Sequence, residues 1–327
     1  MDREGLEAGL AALEAHIRDP VAGVFGPGSA TWDINREAVV FLAAGRAALL
    51  QTAHPWVAAA ITRQSQTLTN PLGRFHGTFI RVFRMVFGSR DQAFAEARAL
   101  FRVHARIRGP LPQDAGEGEG GTYTANHRPA MAWVLATLVE SALLIVEQVR
   151  GDLTAGEKQS YYTETQRFAA LFGLAAGDLP PTWPAFEAYC AEMTAPGALA
   201  VTDEARTIGA FLLERPLERL ALPGKALPRW YKALTVSLLP PAIRREFGLV
   251  LTEDDADLAQ RVLGRARRLR PIMPGLVRYV PAYHEARDRM AGRTRGRVLT
   301  RQMNKLWVGR PDLVSPHAER ARLTGRA

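Results

Sequence analysis

Residues 70–109 read NPLGRFHGTFIRVFRMVFGSRDQAFAEARALFRVHARIRG, and this stretch decides the fold class. Asn70-Pro71 opens a helix that runs to about Phe87, because proline is tolerated in a first turn and Ile80, Phe83 and Phe87 recur at helical spacing. Gly88 and Ser89 break it. Ser89-Arg90-Asp91-Gln92 then has the form of a capping box, in which a hydroxyl and an amide three residues apart satisfy the first free N–H groups of the next helix. That helix is expected to reach about Arg108. Its apolar stripe of Phe94, Ala97, Leu100, Phe101 and Ile107 includes His104.

The same periodicity extends in both directions. Asp33 is expected to cap a helix over about 35–53, and Pro55 starts another near Trp56–Gln64. Residues 109–121 form a Gly- and acid-rich loop. Pro129 sits in the first turn of a long helix ending near Arg150-Gly151, whose apolar run 131–149 is interrupted by Glu140, Glu147 and Gln148 and so suits a buried core rather than a membrane. Further helical patterns cover about 156–172, 183–193, 202–213, 228–238, 253–269 and 277–290. No run of alternating strand residues occurs. An all-α protein with a single large helical domain follows. Residues 1–30 are its amphipathic lead-in helix, 31–292 its body, and 293–327 a polar, basic tail expected to be loosely attached.

Length and composition agree. A chain of 327 residues with 47% hydrophobic and 23% charged residues is globular and large enough to bury roughly three quarters of its unfolded surface. A single cysteine, Cys190, excludes an internal disulfide and any cysteine-based metal cluster. No secretory leader is legible in residues 1–20, so a cytoplasmic location is the expectation. From residue 261 onward there are 17 Lys and Arg against 4 Asp and Glu, a net +13, in a chain whose total is +9. Such a segment is either a solvated arginine-rich surface or a patch that docks on an anionic membrane. Nucleic acid is not expected, since no recognition motif or aromatic–basic interleaving accompanies the charge.

Several chemistries are excluded by missing motifs: no G-x-S-x-G elbow, no P-loop, no G-x-G-x-x-G and no H-E-x-x-H occur. What remains is a set of polar residues on apolar helix faces. His104 is either a core histidine bonded to a carbonyl or an imidazole suited to hold haem iron in a dry pocket. Arg74 and Thr78 share a face, which is either the solvent side of the helix or the lining of a pocket. His76, in the first turn, is a second candidate ligand. Arg46 lies in line with Val39, Leu42, Ala43 and Leu50, where a guanidinium needs an anion: either Glu140 or an acidic ligand group. Gln51 and His54, beside the Pro55 break, either cap a helix end or face a pocket.

Taken together, GRAALLQTAHPWVAAA (45–60), the 70–109 stretch, YTANHRPAMAWVLATLVESAL (123–143) and RRLRPIMPGLVRYVPAYHEARDRM (267–290) resemble the oxygenase MpaB / rubber oxygenase family, which includes the latex clearing proteins. The resemblance implies an all-helical fold around an internal pocket for one haem b. It implies O2-dependent cleavage of carbon–carbon double bonds in a small apolar, isoprenoid or lipid-like substrate. It implies His104 as the iron ligand within HARIR (104–108), with Arg46 and Arg108 as further cofactor-binding residues and Arg74 and Thr78 as catalytic ones. Two positions depart from the pattern. Gly77 stands where the family's R-x-x-K-T motif has lysine, and Leu135 stands where bacterial relatives often carry histidine in W-V-H-A-T-L. The alternative these departures leave is a haem- or lipid-binding member without turnover.

Overall fold

The computed structural model describes residues 2–64, 71–111, 121–214 and 228–318, without the side chains of 63–64, 71–76 and 214. It is helical throughout apart from one short hairpin: α1 (Arg3–Glu14), α2 (Ala30–Asn35), a 3-10 turn (Ala38–Ala43), α3 (Ala44–Thr52), α4 (Pro55–Gln64), α5 (Pro71–Phe87), α6 (Arg90–His104), β1 (Arg108–Pro110), β2 (Thr122–Thr124) and α7 (Arg128–Arg150). The chain continues through α8 (Ala155–Leu171), α9 (Trp183–Met193), α10 (Asp203–Glu214), α11 (Arg229–Leu238), α12 (Pro241–Glu246), α13 (Glu253–Leu269), a 3-10 turn (Arg270–Ile272), α14 (Gly275–Arg278), α15 (Pro281–Met290) and α16 (Val298–Val308).

Helix α7 is the spine. It is long and apolar enough to cross a membrane by composition, yet 72% of its most apolar window is buried inside the protein. Its neighbours are the first 3-10 turn, α3, α8 and α13, and Trp133 anchors it by donating Nε1–H to the Leu50 carbonyl at 2.8 Å. Cys190 lies on α9, buried against the same core, and burial pushes its thiol well above the ordinary pKa.

The α5–α6 hairpin forms as its sequence requires. Ser89 Oγ accepts from the Gln92 N–H at 3.2 Å, and the Gln92 side chain accepts from the Ser89 N–H at 2.9 Å, completing the capping box. Gly88 is needed at the bend, where an added Cβ would lie 2.2 Å from the Arg84 carbonyl oxygen. Across the hairpin Arg81 and Arg84 both pair with the buried Glu96, at 2.6 and 3.3 Å, which sets the antiparallel register.

Four expectations are corrected. Asp33 does not cap a helix over 35–53; it lies inside α2, which Ser29 caps, and its carboxylate binds Arg36 and Arg150. The β-branched and aromatic run 38–43 winds as a 3-10 turn before α3 begins. Helix α6 ends at His104 rather than near Arg108, because Gly109-Pro110 disfavours helix and residues 108–110 instead pair antiparallel with 124–122. Helix 277–290 begins only at Pro281, after the short α14.

A further correction concerns residues 293–318, which are held tightly. Glu285, fully buried on α15, accepts N–H groups from Leu313, Val314 and Ser315 at 2.9–3.1 Å and the Asn304 amide at 3.0 Å. One turn later Arg289 donates to the carbonyls of Val21, Phe87 and Val314 at 3.0, 2.8 and 2.7 Å. Residues 319–327 lie outside the described residues.

Candidate functional site

An apolar cavity of about 270 Å³ opens beside α7. It is lined by a run of small residues, Ala43, Ala44, Gly45, Ala47 and Ala48, by Thr78, Phe79, Val82 and Phe83 of α5, and by Leu138 and Ala142 of α7 and Ile208 and Leu212 of α10. Gly45 lets α3 pack closely on α11, since a Cβ there would lie 2.4 Å from Thr235 Oγ1. Phe41 completes the lining and is itself backed by Phe79 at 4.5 Å and by Trp307 of α16 at 4.5 Å, edge-on. The docked C-terminal segment therefore backs the cavity wall.

Polar groups in the lining are few: Asn35, Gln51, Thr78, Ser141, Tyr161 and Tyr231 are prominent among them. Tyr161 is buried, which pushes its phenol up to about 12, and it accepts a hydrogen bond from the Asn35 amide at 3.2 Å. Ser141 accepts from Arg46 at 2.7 Å. Gln51 faces the cavity. Asn35, Tyr161 and Tyr231 were missed in the sequence because each lies on a different helix from the motif residues and carries no local signal of its own.

Each anticipated site residue can now be placed. Thr78 lines the cavity. Arg74 and His76 belong to the first turns of α5, and their side chains lie outside the described residues. His104 is half-buried at the last turn of α6 and is not among the described residues that line the cavity. Counted along the antiparallel hairpin from the Arg81–Glu96 pair, Gly73 on α5 and His104 on α6 are each eight residues further from the bend. Along α5, Arg74 and Thr78 are about one turn, ~6 Å, apart, and Thr78 is exposed at the cavity lining.

Arg46 resolves in favour of the internal pair. Its Nη2 donates to Glu140 at 2.9 Å, Nη1 to Ser141 Oγ and Nε to the Leu238 carbonyl at 2.9 Å, so all three nitrogens are engaged within the protein. Expected as a cofactor ligand, it instead joins α3 to α7 and α11. Arg108, expected to continue the His104 helix, is exposed on β1. Leu135 is fully buried in the α7 core.

Beyond the end of α6 lies a second group of aromatic and imidazole rings. Trp56 stacks on His127 at 3.8 Å, while Tyr123 and Leu111 pack with Ala59 and, part-buried beside them, Trp56 and Ile107. His54 accepts the Trp56 N–H at 3.3 Å, and burial together with the charge of His127 lowers its pKa to about 4. His127 is also lowered, chiefly by burial. Among the described residues, two buried polar atoms of this group, Tyr123 Oη and His127 Nδ1, have no hydrogen-bond partner. Among the described residues no three His, Cys, Asp or Glu side chains form a metal-holding group.

Residues 32–269 match the family described as ER-bound oxygenase mpaB/B′/rubber oxygenase, catalytic domain. The chain belongs to this family. No curated protein and no solved structure matches the chain. The oxygenase-domain match starts within α2 and ends with the last residue of α13, so every residue lining the cavity falls inside it. Helices α14 to α16 lie beyond the matched oxygenase domain, yet they supply Trp307 behind its wall.

Proposed function

We propose that the protein is a haem b-dependent oxygenase acting with O2 on an apolar, isoprenoid- or lipid-like substrate. The observation that carries this reading is the oxygenase catalytic domain folded around an apolar cavity lined by Thr78, Phe79, Val82 and Phe83 of α5. The residues suit such a group. An imidazole ends α6, three residues before Ile107 of the ring group; among the described residues Tyr123 Oη and His127 Nδ1 of that group lack hydrogen bonds, and unsatisfied buried atoms of this kind call for a further partner.

In this reading His104 would hold the iron, and Arg108 would offer a guanidinium to an acidic edge of the group. Bound haem would supply the redox chemistry that O2 needs to react with an alkene. The chain's own part is to bind, orient and exclude water. Phe79, Val82 and Phe83 with the small residues of α3 present a surface that favours an apolar chain over water. Thr78 can donate one hydrogen bond into that surface, and Tyr161, kept protonated by burial, can donate another. Arg74, one turn before Thr78 on α5, would be the second polar group acting on the substrate or the cofactor.

Protein incubated with hemin should show a Soret band that shifts on reduction and with carbon monoxide. His104→Ala should lose that band while keeping its helical circular dichroism. Thr78→Val should keep the band but lower O2 uptake with an alkene substrate roughly tenfold or more, ~1.4 kcal/mol. A protein that stays colourless with hemin ends this reading. One that takes up haem but consumes no O2 is the non-catalytic member that Gly77 and Leu135 would favour.

A further inference from the structure

A second concavity, about 470 Å³, shares no lining residue with the apolar cavity and lies in the size range of small-ligand pockets. Its apolar floor is Trp32, Met290 and Pro27. The Trp32 Nε1–H is already spent on the Val86 carbonyl at 2.9 Å, so the indole offers only carbon to this space. Its polar side is made by Arg36, Tyr283 and Arg287, with Ser29 and the Asp33 carboxylate also in the lining. Both guanidiniums reach the same acceptor, the Tyr283 hydroxyl, at 3.5 Å from Arg36 and 3.4 Å from Arg287. These are long bonds, at the outer limit of what a neutral oxygen offers two cations.

The charges there are not balanced. Asp33 binds Arg36, but the same carboxylate also takes Arg150 at 2.6 Å. Among the described residues no carboxylate pairs with Arg287, and Arg36 Nε is buried without a hydrogen bond. Burial pushes the Tyr283 phenol up, yet hydrogen bonds and charge from Arg287 and Arg36 bring it below the ordinary tyrosine value, as expected where positive potential is in excess. The N-terminus of α2 at the rim plays no part in this, because the Ala30 and Thr31 N–H groups are taken by Glu164 at 3.1 and 2.7 Å. The net +13 carried beyond residue 260 adds a long-range field of the same sign.

We propose that this concavity binds an amphiphilic anion: a phosphate or carboxylate head between the Arg36 and Arg287 guanidiniums above Tyr283, with its apolar body on Trp32, Met290 and Pro27. A charged head replaces one shared hydroxyl with two charge-assisted contacts, and the guanidinium fork suits either head group. The site is independent of haem.

Calorimetric titration of the full chain with octyl phosphate, octanoate, inorganic phosphate and octyl glucoside tests it, the amphiphiles being kept below their micellar concentrations. One or both octyl anions should bind, and whichever binds more tightly assigns the head group. Inorganic phosphate and the glucoside should bind at least tenfold more weakly. Arg287→Ala, at an exposed position, should weaken binding tenfold or more with unchanged circular dichroism, and Arg287→Lys should recover only part of it. The bound anion should also raise the alkaline midpoint of the 295 nm absorbance that Tyr283→Phe removes. Absence of binding by both octyl anions, equal binding by Arg287→Ala, or equal binding by inorganic phosphate overturns the proposal.

Discussion

His54 shows how a single ring couples the site to pH. Its surroundings disfavour the charged form, first by burial and then through His127, so its pKa falls from 6.5 in the unfolded chain to about 4. Between those values the unfolded chain takes up a proton that the folded chain refuses. Stability should therefore fall as pH drops from 6.5 toward 4, by at most about 3 kcal/mol, and change no further from this source below 4. Urea unfolding at a series of pH values should show that slope, and His54→Gln should flatten it. The sequence placed His54 beside the Pro55 break and left cap and pocket readings open. It could not show that His127, far along the chain, stacks on Trp56 next to it, since that contact exists only after α4 and the start of α7 meet.

Helix signals in the α5–α6 hairpin were legible because they are local. Proline, the glycine bend and the Ser89–Gln92 box act within a few residues, and the structure reproduces them. The end of α6 was misread because the apolar stripe continues in sequence to Ile107, while Gly109-Pro110 and the pairing with Thr122–Thr124 terminate the helix sooner. Arg46 is a different case: its burial was legible and Glu140 was one of its two candidate partners, while Ser141 and the Leu238 carbonyl carried no signal. Because its nitrogens join α3 to Glu140, Ser141 and the Leu238 carbonyl, Arg46→Ala should cost about 2–4 kcal/mol in urea unfolding of the haem-free protein. Hemin affinity should remain within about twofold, under ~0.5 kcal/mol. Unchanged stability with weakened hemin binding would instead return Arg46 to the role of cofactor ligand.

At the scale of the whole molecule, an all-helical fold was readable from periodicity, but the attachment of residues 293–318 was not. Their polar composition hides the fact that the anchoring groups, Glu285 and Arg289, reside on another helix and grip backbone rather than side chains. Glu285→Gln would set an amide donor against backbone N–H donors in a buried place. It should lower stability by about 2–4 kcal/mol and make residues 293–318 the first site of limited proteolysis. Loss of α16 would take Trp307 from behind Phe41, so hydrophobic dye should enter the cavity more readily in that variant. Proteolysis that begins elsewhere would show that the two anchors are redundant.

The lone sulfhydryl on α9 gives all of these comparisons a common clock. A chromogenic disulfide reagent attacks only a solvent-reached thiolate, and Cys190 is neither while the core is closed. Its labelling half-time in native buffer thus measures how often the interior opens, so each substitution or bound anion can be ranked by how far it quickens or retards one colour change.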